Sequence, residues 1–435
     1  MFAIVAFGLL VCWSNAVGGL ILAQLKALGW TDNSTTATFS AITTAGMFLG
    51  ALVGGIIGDK TGRRNAFILY EAIHIASMVV GAFSPNMDFL IACRFVMDVG
   101  LGALLVTLFA GFTEYMPGRN RGTWSSRVSF IGNWSYPLCS LIAMGLTPLI
   151  SAEWNWRVQL LIPAILSLIA TALAWRYFPE SPRWLESRGR YQEAEKVMRS
   201  IEEGVIRQTG KPLPPVVIAD DGKAPQAVPY SALLTGVLLK RVILGSCVLI
   251  TMNVVQYTLI NWLPTIFMTQ GINLKDSIVL NTMSMFGAPF GIFIAMLVMD
   301  KIPRKTMGVG LLILIAVLGY IYSLQTSMLL ITLIGFFLIT FVYMYVCYAS
   351  AVYVPEIWPT EAKLRGSGLA NAVGRISGIA APYAVAVLLS SYGVTGVFIL
   401  LGAVSNIVAI AIATIGIETK GVSVESLSID AVANK

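Results

Sequence analysis

The chain has 435 residues, 57 % of them apolar and only 12 % charged, with a formal net charge of +7. That is about half the charged share of a soluble domain and excludes an ordinary globular enzyme. Inside hydrocarbon every backbone polar group has to be satisfied within the chain, which leaves helices or closed barrels. Apolar runs of about 20 residues, in place of alternating ten-residue stretches, select helices.

In chain order the hydrophobic runs predict spans near 2–25, 38–57, 66–84, 87–114, 122–150 and 157–178. A polar stretch over 179–240 follows. Its start, Glu186 to Arg207, has helical charge spacing, and Pro212-Leu213-Pro214-Pro215 with Asp220-Asp221-Gly222 reads as linker. The second set lies near 241–268, 276–299, 306–325, 327–355, 366–391 and 394–417. The expected organisation is an all-α membrane protein of twelve transmembrane helices in two pseudo-symmetric six-helix bundles. Its parts are 1–178, a partly helical linker 179–240, 241–417, and a tail 418–435.

A charged pattern written twice supports the duplication. Gly58-Asp59-Lys60-Thr61-Gly62-Arg63-Arg64 is answered by Asp300-Lys301-Ile302-Pro303-Arg304-Lys305, with the two aspartates 241 positions apart. Glu114-Tyr115-Met116-Pro117, ending in Arg121-Gly122, is matched by Glu356-Ile357-Trp358-Pro359, ending in Arg365-Gly366. A duplicated half in a membrane suggests a transporter whose two halves rock about one site.

The loops carrying these motifs, the linker and the tail hold nearly all Lys and Arg, whereas the opposite loops hold Lys26, Arg157 and Lys275. The positive-inside rule then places the motif loops and both termini in the cytoplasm. This bias explains the net charge without a nucleic-acid partner. The chain starts almost at its first span without a basic leader, so a short preceding cytoplasmic segment is expected, and a signal peptide is not. Cys12, Cys93, Cys139, Cys247 and Cys347 are scattered and His74 is the single histidine, so no metal or cofactor constellation exists. No P-loop marks ATP-driven transport.

These residues resemble the major facilitator superfamily. The Gly58–Arg64 loop is similar to that family's signature between helices two and three. Pro179-Glu180-Ser181-Pro182-Arg183-Trp184-Leu185 resembles the sugar-porter and metabolite:proton-symporter branches, and Glu418-Thr419-Lys420-Gly421 the sugar-porter ending, with Ile417 where proline is usual. The chain is also similar to uncharacterised bacterial inner-membrane transporters of the niacin and synaptic-vesicle-protein-like branch. The resemblance implies the family's fold and an alternating-access cycle, and it names no solute.

Asp59, Arg63, Arg64, Glu114, Arg121, Asp300, Arg304, Glu356 and Arg365 all sit at cytoplasmic helix ends and are expected to form a gate, pairing when the inner side closes. Ionisable residues within spans are candidate functional groups by their cost alone. Arg94 and Asp98 on helix four are one turn apart, share a face, and form the expected proton-coupling pair. Sugar porters usually carry the coupling acid on helix one, which here offers only Ser14 and Asn15. Arg375 on helix eleven has no acid on its own helix, and its planar fork suits a carboxylate. Glu71 and His74 are read as a structural pair on helix three.

Asn253, Gln256, Tyr257 and Asn261 make one hydrogen-bonding face of helix seven, Asn133 and Tyr136 the expected opposite wall, and Tyr345, Tyr348 and Asn371 supply further polar tips. Such amides and phenols bind hydroxylated solutes and also join helices. Gly46, Gly50, Gly54 and Gly55 are expected to permit close helix packing. The resulting expectation is a monomeric inner-membrane transporter, not an enzyme, importing a sugar acid, another organic acid or a sugar with a proton. Proton-driven efflux and an uncoupled facilitator for a neutral sugar or polyol remain open.

Overall fold

The computed structural model describes residues 14–114, 121–210, 212, 229–359 and 362–420, with the side chains of 14, 15, 109–114, 121–126, 208, 209, 363 and 364 outside that description. Among the described residues there are helices and no strands. The first half comprises α1 (Ser14–Ala27), α2 (Asn33–Thr61), α3 (Arg63–Ala82), α4 (Met87–Glu114), α5 (Arg121–Asn133), α6 (Ser135–Leu146) and α7 (Ala152–Tyr177). The linker contributes α8 (Pro182–Ser187), α9 (Tyr191–Thr209) and α10 (Tyr230–Leu233). The second half runs α11 (Gly236–Thr269), α12 (Leu274–Met285), α13 (Gly287–Val298), α14 (Arg304–Ser323) and α15 (Met328–Val346). From there a π-helical stretch, Cys347–Tyr353, leads into α16 (Val354–Glu356), and α17 (Lys363–Ile415) ends the bundle.

Nine described stretches are long and apolar enough to cross a membrane. One of them, α17, is two spans joined at Gly393, whose φ of 64° breaks the helix where the sequence places the turn between the last two spans. The α5–α6 pair forms the fifth span, and α1 is the described part of the first. The breaks follow from proline chemistry, because a proline cannot bond the carbonyl four residues back. Pro137 frees the carbonyl of Asn133 and Pro289 that of Met285, and the helices divide at Trp134 and Phe286. Pro355 sits just beyond the π-helical turn in the same way. Span six starts earlier than the hydropathy suggests. Arg157 lies inside α7 because its guanidinium stacks 4.3 Å from the Trp156 ring and donates to the Ala82 carbonyl at 3.2 Å.

The two halves repeat at the level of single contacts. Gly46 on α2 meets the Phe95 carbonyl of α4 so closely that a Cβ would stand 2.7 Å from it. Exactly the same offset of 241 residues brings Gly287 against the Phe336 carbonyl, where a Cβ would stand 2.5 Å away. One turn on, Gly50 faces Val99 and Gly291 faces Thr340, closer still. Gly55, expected to pack likewise, has open space around it.

Each half is therefore built around a backbone-to-backbone seam that tolerates no side chain. Gly50→Leu and Gly291→Leu should each destabilise the detergent-solubilised protein by at least about 1–3 kcal/mol, read as a lower midpoint in fluorescence size-exclusion melts. Gly55→Ala should move the midpoint by no more than about 0.5 kcal/mol equivalent.

Candidate solute and coupling site

Arg94 and Asp98 lie on α4 beside this seam. Arg94 Nε is 2.9 Å from Asp98 Oδ2, and the two side chains are 2 % and 0 % exposed. The same Nε donates to Thr43 Oγ1 of α2 at 3.2 Å, and Phe39 stacks beneath the guanidinium at 5.5 Å. Gly18 of α1 leaves the room that Arg94 Nη2 occupies: a Cβ there would sit 3.4 Å from that atom and 3.5 Å from Asn261 Oδ1 of α11. Residues from both halves thus converge on one glycine. Thr43 was not legible as a partner from sequence, although it shares a face of α2 with Gly46 and Gly50.

Elements related by the 241-residue offset show what is particular to this half. Arg94, Asp98, Glu71 and His74 correspond to Gly335, Ile339, Leu312 and Ile315. The second half packs the same seam without any of these charges, and Ser284, the counterpart of Thr43, fills the space at Gly335. The fold does not need the ion pair. Glu71 and His74 do not form the expected pair: His74 Nδ1 lies 3.0 Å from the Met97 carbonyl, and Glu71 is completely buried beside Ser167 of α7.

On α11 Asn253 is buried and donates to the Leu249 carbonyl at 2.7 Å, and Tyr257 Oη approaches Met47 Sδ of the other half at 3.8 Å. Tyr136 meets Tyr343 of α15 edge-on at 5.4 Å, and Gln256 lies near the same Tyr343. Tyr343 is a wall residue that sequence reasoning missed, since no polar periodicity on α15 distinguishes it from Tyr345 and Tyr348. Tyr348 takes another place: it stacks between Tyr345 and Tyr353 at 5.8 and 5.0 Å and packs on Gly308, because the π-helical stretch turns it toward α14. Asn133 donates to its own helix at Ser129, and Asn371 to Ser367, where it is exposed.

Arg375 is half-buried on α17, next to Gly374 and three residues before Gly378, which packs against Thr44 and Tyr257. Its Nη1 is buried, and among the described residues it has no hydrogen-bond partner and Arg375 makes no ion pair. Asp98, the deep acid of the other half, is taken by Arg94.

At the end bearing the basic loops, the ion pairs seen among the described residues lie within each half. Arg63 Nη1 contacts Asp59 at 2.7 Å, and Glu180 accepts from the backbone N–H of Arg63 at 2.6 Å and of Arg64 at 3.3 Å. Arg304 contacts Asp300 at 3.2 Å and Glu356 at 3.0 Å, while Glu418 accepts from the N–H of Arg304 at 2.8 Å and of Lys305 at 3.1 Å. Arg64 instead donates to the Trp175 carbonyl, and Arg365 lies 5.3 Å from the Tyr230 ring. The Glu114 and Arg121 side chains lie outside the described residues, as does Pro117. Glutamates 180 and 418 each cap the start of a helix, a placement favoured by the helix dipole. The local reason is spacing: Asp59 and Arg63, like Asp300 and Arg304, are four residues apart around one turn.

A model of the Major Facilitator Superfamily matches residues 2–382. The chain belongs to that superfamily. It is 99 % identical over all 435 residues to YdjK, a metabolite transport protein of Escherichia coli K12, covering 95 % of it. It is 43 % identical to the inner membrane metabolite transport protein YdjE of the same organism, over 98 % of this chain and 94 % of the relative. Its fold matches a partially occluded, inward-open structure of the xylose transporter XylE from E. coli, with a TM-score of 0.75 at 18 % identity, covering 97 % of this chain and 98 % of that one. The superfamily member is a multi-pass membrane transporter and not an enzyme.

Partial burial works against the Glu418 charge, but the N–H groups of Arg304, Lys305 and Lys420 and the Arg304 guanidinium outweigh it and hold the carboxyl below its usual range. Its contribution is thus present above the unfolded value and is lost as pH falls through the lower, folded value. Thermal midpoints of the wild type should exceed those of Glu418→Gln at neutral pH, and the two should converge only below the ordinary glutamate range.

Proposed function

We propose that this transporter imports a small hydroxylated organic anion together with a proton, by alternating access of halves 1–178 and 241–417 about the site described above. The observation that carries the solute class is Arg375, a half-buried guanidinium within a span whose buried Nη1 has no hydrogen-bond partner among the described residues. A buried guanidinium N–H left without an acceptor is costly, and a solute carboxylate would satisfy it by a bidentate contact. Asn253, Gln256, Tyr257 and Asn261 would take the hydroxyls, with Tyr136, Tyr343, Asn133 and Asn371 closing the walls. Tyr348 is left to the aromatic stack.

Asp98 with Arg94 would carry the proton. When Asp98 takes a proton the pair loses its Coulomb attraction, and Arg94 is released toward Gly18 and Asn261, at the boundary between halves. The charged clusters at Asp59, Arg63, Arg64 and Glu180, and at Asp300, Arg304, Glu356 and Glu418, would hold each half's helix ends as one body, with Glu114, Arg121 and Arg365 as further members of the gate. By the positive-inside rule this end and both termini would face the cytoplasm of a bacterial inner membrane. A second reading, a neutral sugar or polyol, draws on the amide-rich face of α11.

Thermal-shift measurements on the purified protein with matched pairs, galactonate against galactose and benzoate against benzyl alcohol, separate the two. Acids at 100 times their dissociation constant should stabilise by about 2.7 kcal/mol, and Arg375→Ala should abolish the shift. Stabilisation by the neutral partners alone would overturn the carboxylate role of Arg375. With the acid so found, Asp98→Asn in proteoliposomes should keep exchange of solute but lose accumulation driven by a pH gradient. Undiminished accumulation would remove Asp98 from the coupling.

A further inference from the structure

The boundary between the halves carries an aromatic groove that the solute site does not use. Its volume is ≈ 390 Å³, and its lining is six aromatic rings and Pro289. Phe130 and Trp134 come from the first half, and Phe286, Phe290, Phe293 and Phe336 from the second. The rings meet across the boundary: Phe130 lies 6.1 Å from Phe293, and Trp134 6.3 Å from Phe286. Phe290 stands 5.6 Å from Phe336 of α15, where the seam at Gly287 brings the two helices together.

The groove opens to lipid. Phe286, Phe290, Phe293 and Leu297 follow one another by three or four residues, so they share one face of α13. Ala288, Ile292 and Ala295, on the opposite face, are buried in the core of the second half. Trp134, Phe290 and Phe293 are 37 %, 46 % and 46 % exposed, and these rings therefore look out of the bundle into hydrocarbon. Phe293 precedes Asp300 by seven positions and Trp134 follows Arg121 by thirteen. By rise along the helices that is about 10 Å and about 20 Å from the basic end, on either side of the bilayer middle.

The Trp134 indole carries the one polar atom among the lining side chains, so a hydrogen-bonding solute has little to hold it there. A groove of ligand-pocket size, within about 300–1,000 Å³, lined almost wholly by carbon suits a chain of methylenes. A charge completes the shape. Arg127 is exposed on α5, three residues before Phe130 and seven before Trp134, on the same face and nearer the basic end. Its stem can lie in hydrocarbon while the guanidinium reaches the headgroups. Lys301 follows α13 at that end, and Asp300 beside it is engaged by Arg304 at 3.2 Å. A cation at the interface, leading into an aromatic groove, matches an amphiphile with an anionic head and a hydrocarbon tail.

We infer that the groove holds one acyl chain of an anionic phospholipid from the leaflet at the basic end, with its phosphate at the Arg127 guanidinium. The chain lies against rings of both halves, and the site is separate from that of the solute.

Bromine atoms on a lipid chain quench an indole that the chain touches, which makes Trp134 its own reporter. The full chain is placed in phosphatidylcholine nanodiscs with a minor share of lipid brominated at mid-chain. The signal is the part of the fluorescence that Trp134→Phe removes. Brominated phosphatidylglycerol should quench it several-fold more than an equal share of brominated phosphatidylcholine. Arg127→Gln should lower the first to the level of the second, and Arg127→Lys should keep most of the difference. Equal quenching of the wild type by the two lipids, as from bulk chains sliding past, overturns the site. So does a Trp134 that neither lipid quenches, which is what a second copy of the chain seated on the groove would give. A preference undiminished in Arg127→Gln overturns the placing of the phosphate.

Discussion

Helices in a bilayer gain nothing by hiding apolar surface from lipid, so they hold together by close packing and by polar contacts between them. Here that packing is set by two glycine seams, Gly46 and Gly50 against α4, and Gly287 and Gly291 against α15. Much else hangs on these seams. They fix the register that places Thr43 under the Arg94 guanidinium, and α2 and α13 run on from them to Asp59 and Asp300 at the basic end. A shift of one residue along either seam would drive a Cβ into a carbonyl and carry the charged clusters away from the helix starts they cap.

The same seam serves two different interiors. In the first half it surrounds a fully buried ion pair, and in the second half glycine, serine and isoleucine fill the equivalent space. Buried ion pairs give little net stability, and well-packed apolar groups of similar volume often do as well or better. The second half is that experiment, carried out within one molecule. The seam by itself therefore does not require the charges at Arg94 and Asp98. The reverse asymmetry holds for Arg375, which sits in the second half with no partner of its own. One half holds a buried ion pair, the other a cation with no ion pair among the described residues, and α1 and α11 meet between them at Gly18 and Asn261.

The spans, the duplication and the Arg94–Asp98 pair were legible in the sequence because each rests on local regularities: length of apolar run, repeated spacing, and residues one turn apart. The 241-residue offset of the aspartates already contained the glycine seams, although the glycines alone did not show which helix they face. Less legible were contacts whose partners lie far apart in the chain. Glu180 and Glu418 stood out as motif residues, yet their capping of α3 and α14 depends on how the linker and the tail return to the bundle. Tyr348 joins an aromatic stack with Tyr345 and Tyr353, a contact across a π-helical stretch that neither hydropathy nor polar spacing signals.

The basic-end clusters bear on how the halves can move. If Asp59, Arg63, Asp300 and Arg304 were bound across the boundary, opening would have to break each contact. The ion pairs of Asp59 with Arg63 and of Asp300 with Arg304 lie within their own halves, so these contacts can persist while the halves separate. Among the contacts that join them are neutral hydrogen bonds, Asn33 Nδ2 to Ser390 Oγ at 2.9 Å and Asn281 Nδ2 to Ser140 Oγ at 3.1 Å, and apolar packing such as Tyr257 on Met47 and Tyr136 on Tyr343. Neutral hydrogen bonds contribute about 0.5–1.5 kcal/mol each. On the proposed reading, a proton at Asp98 or an anion at Arg375 would change the local balance by more than any one such hydrogen bond. The strong interactions thus make two rigid bodies, and the weak ones leave their relative position to be set by what is bound.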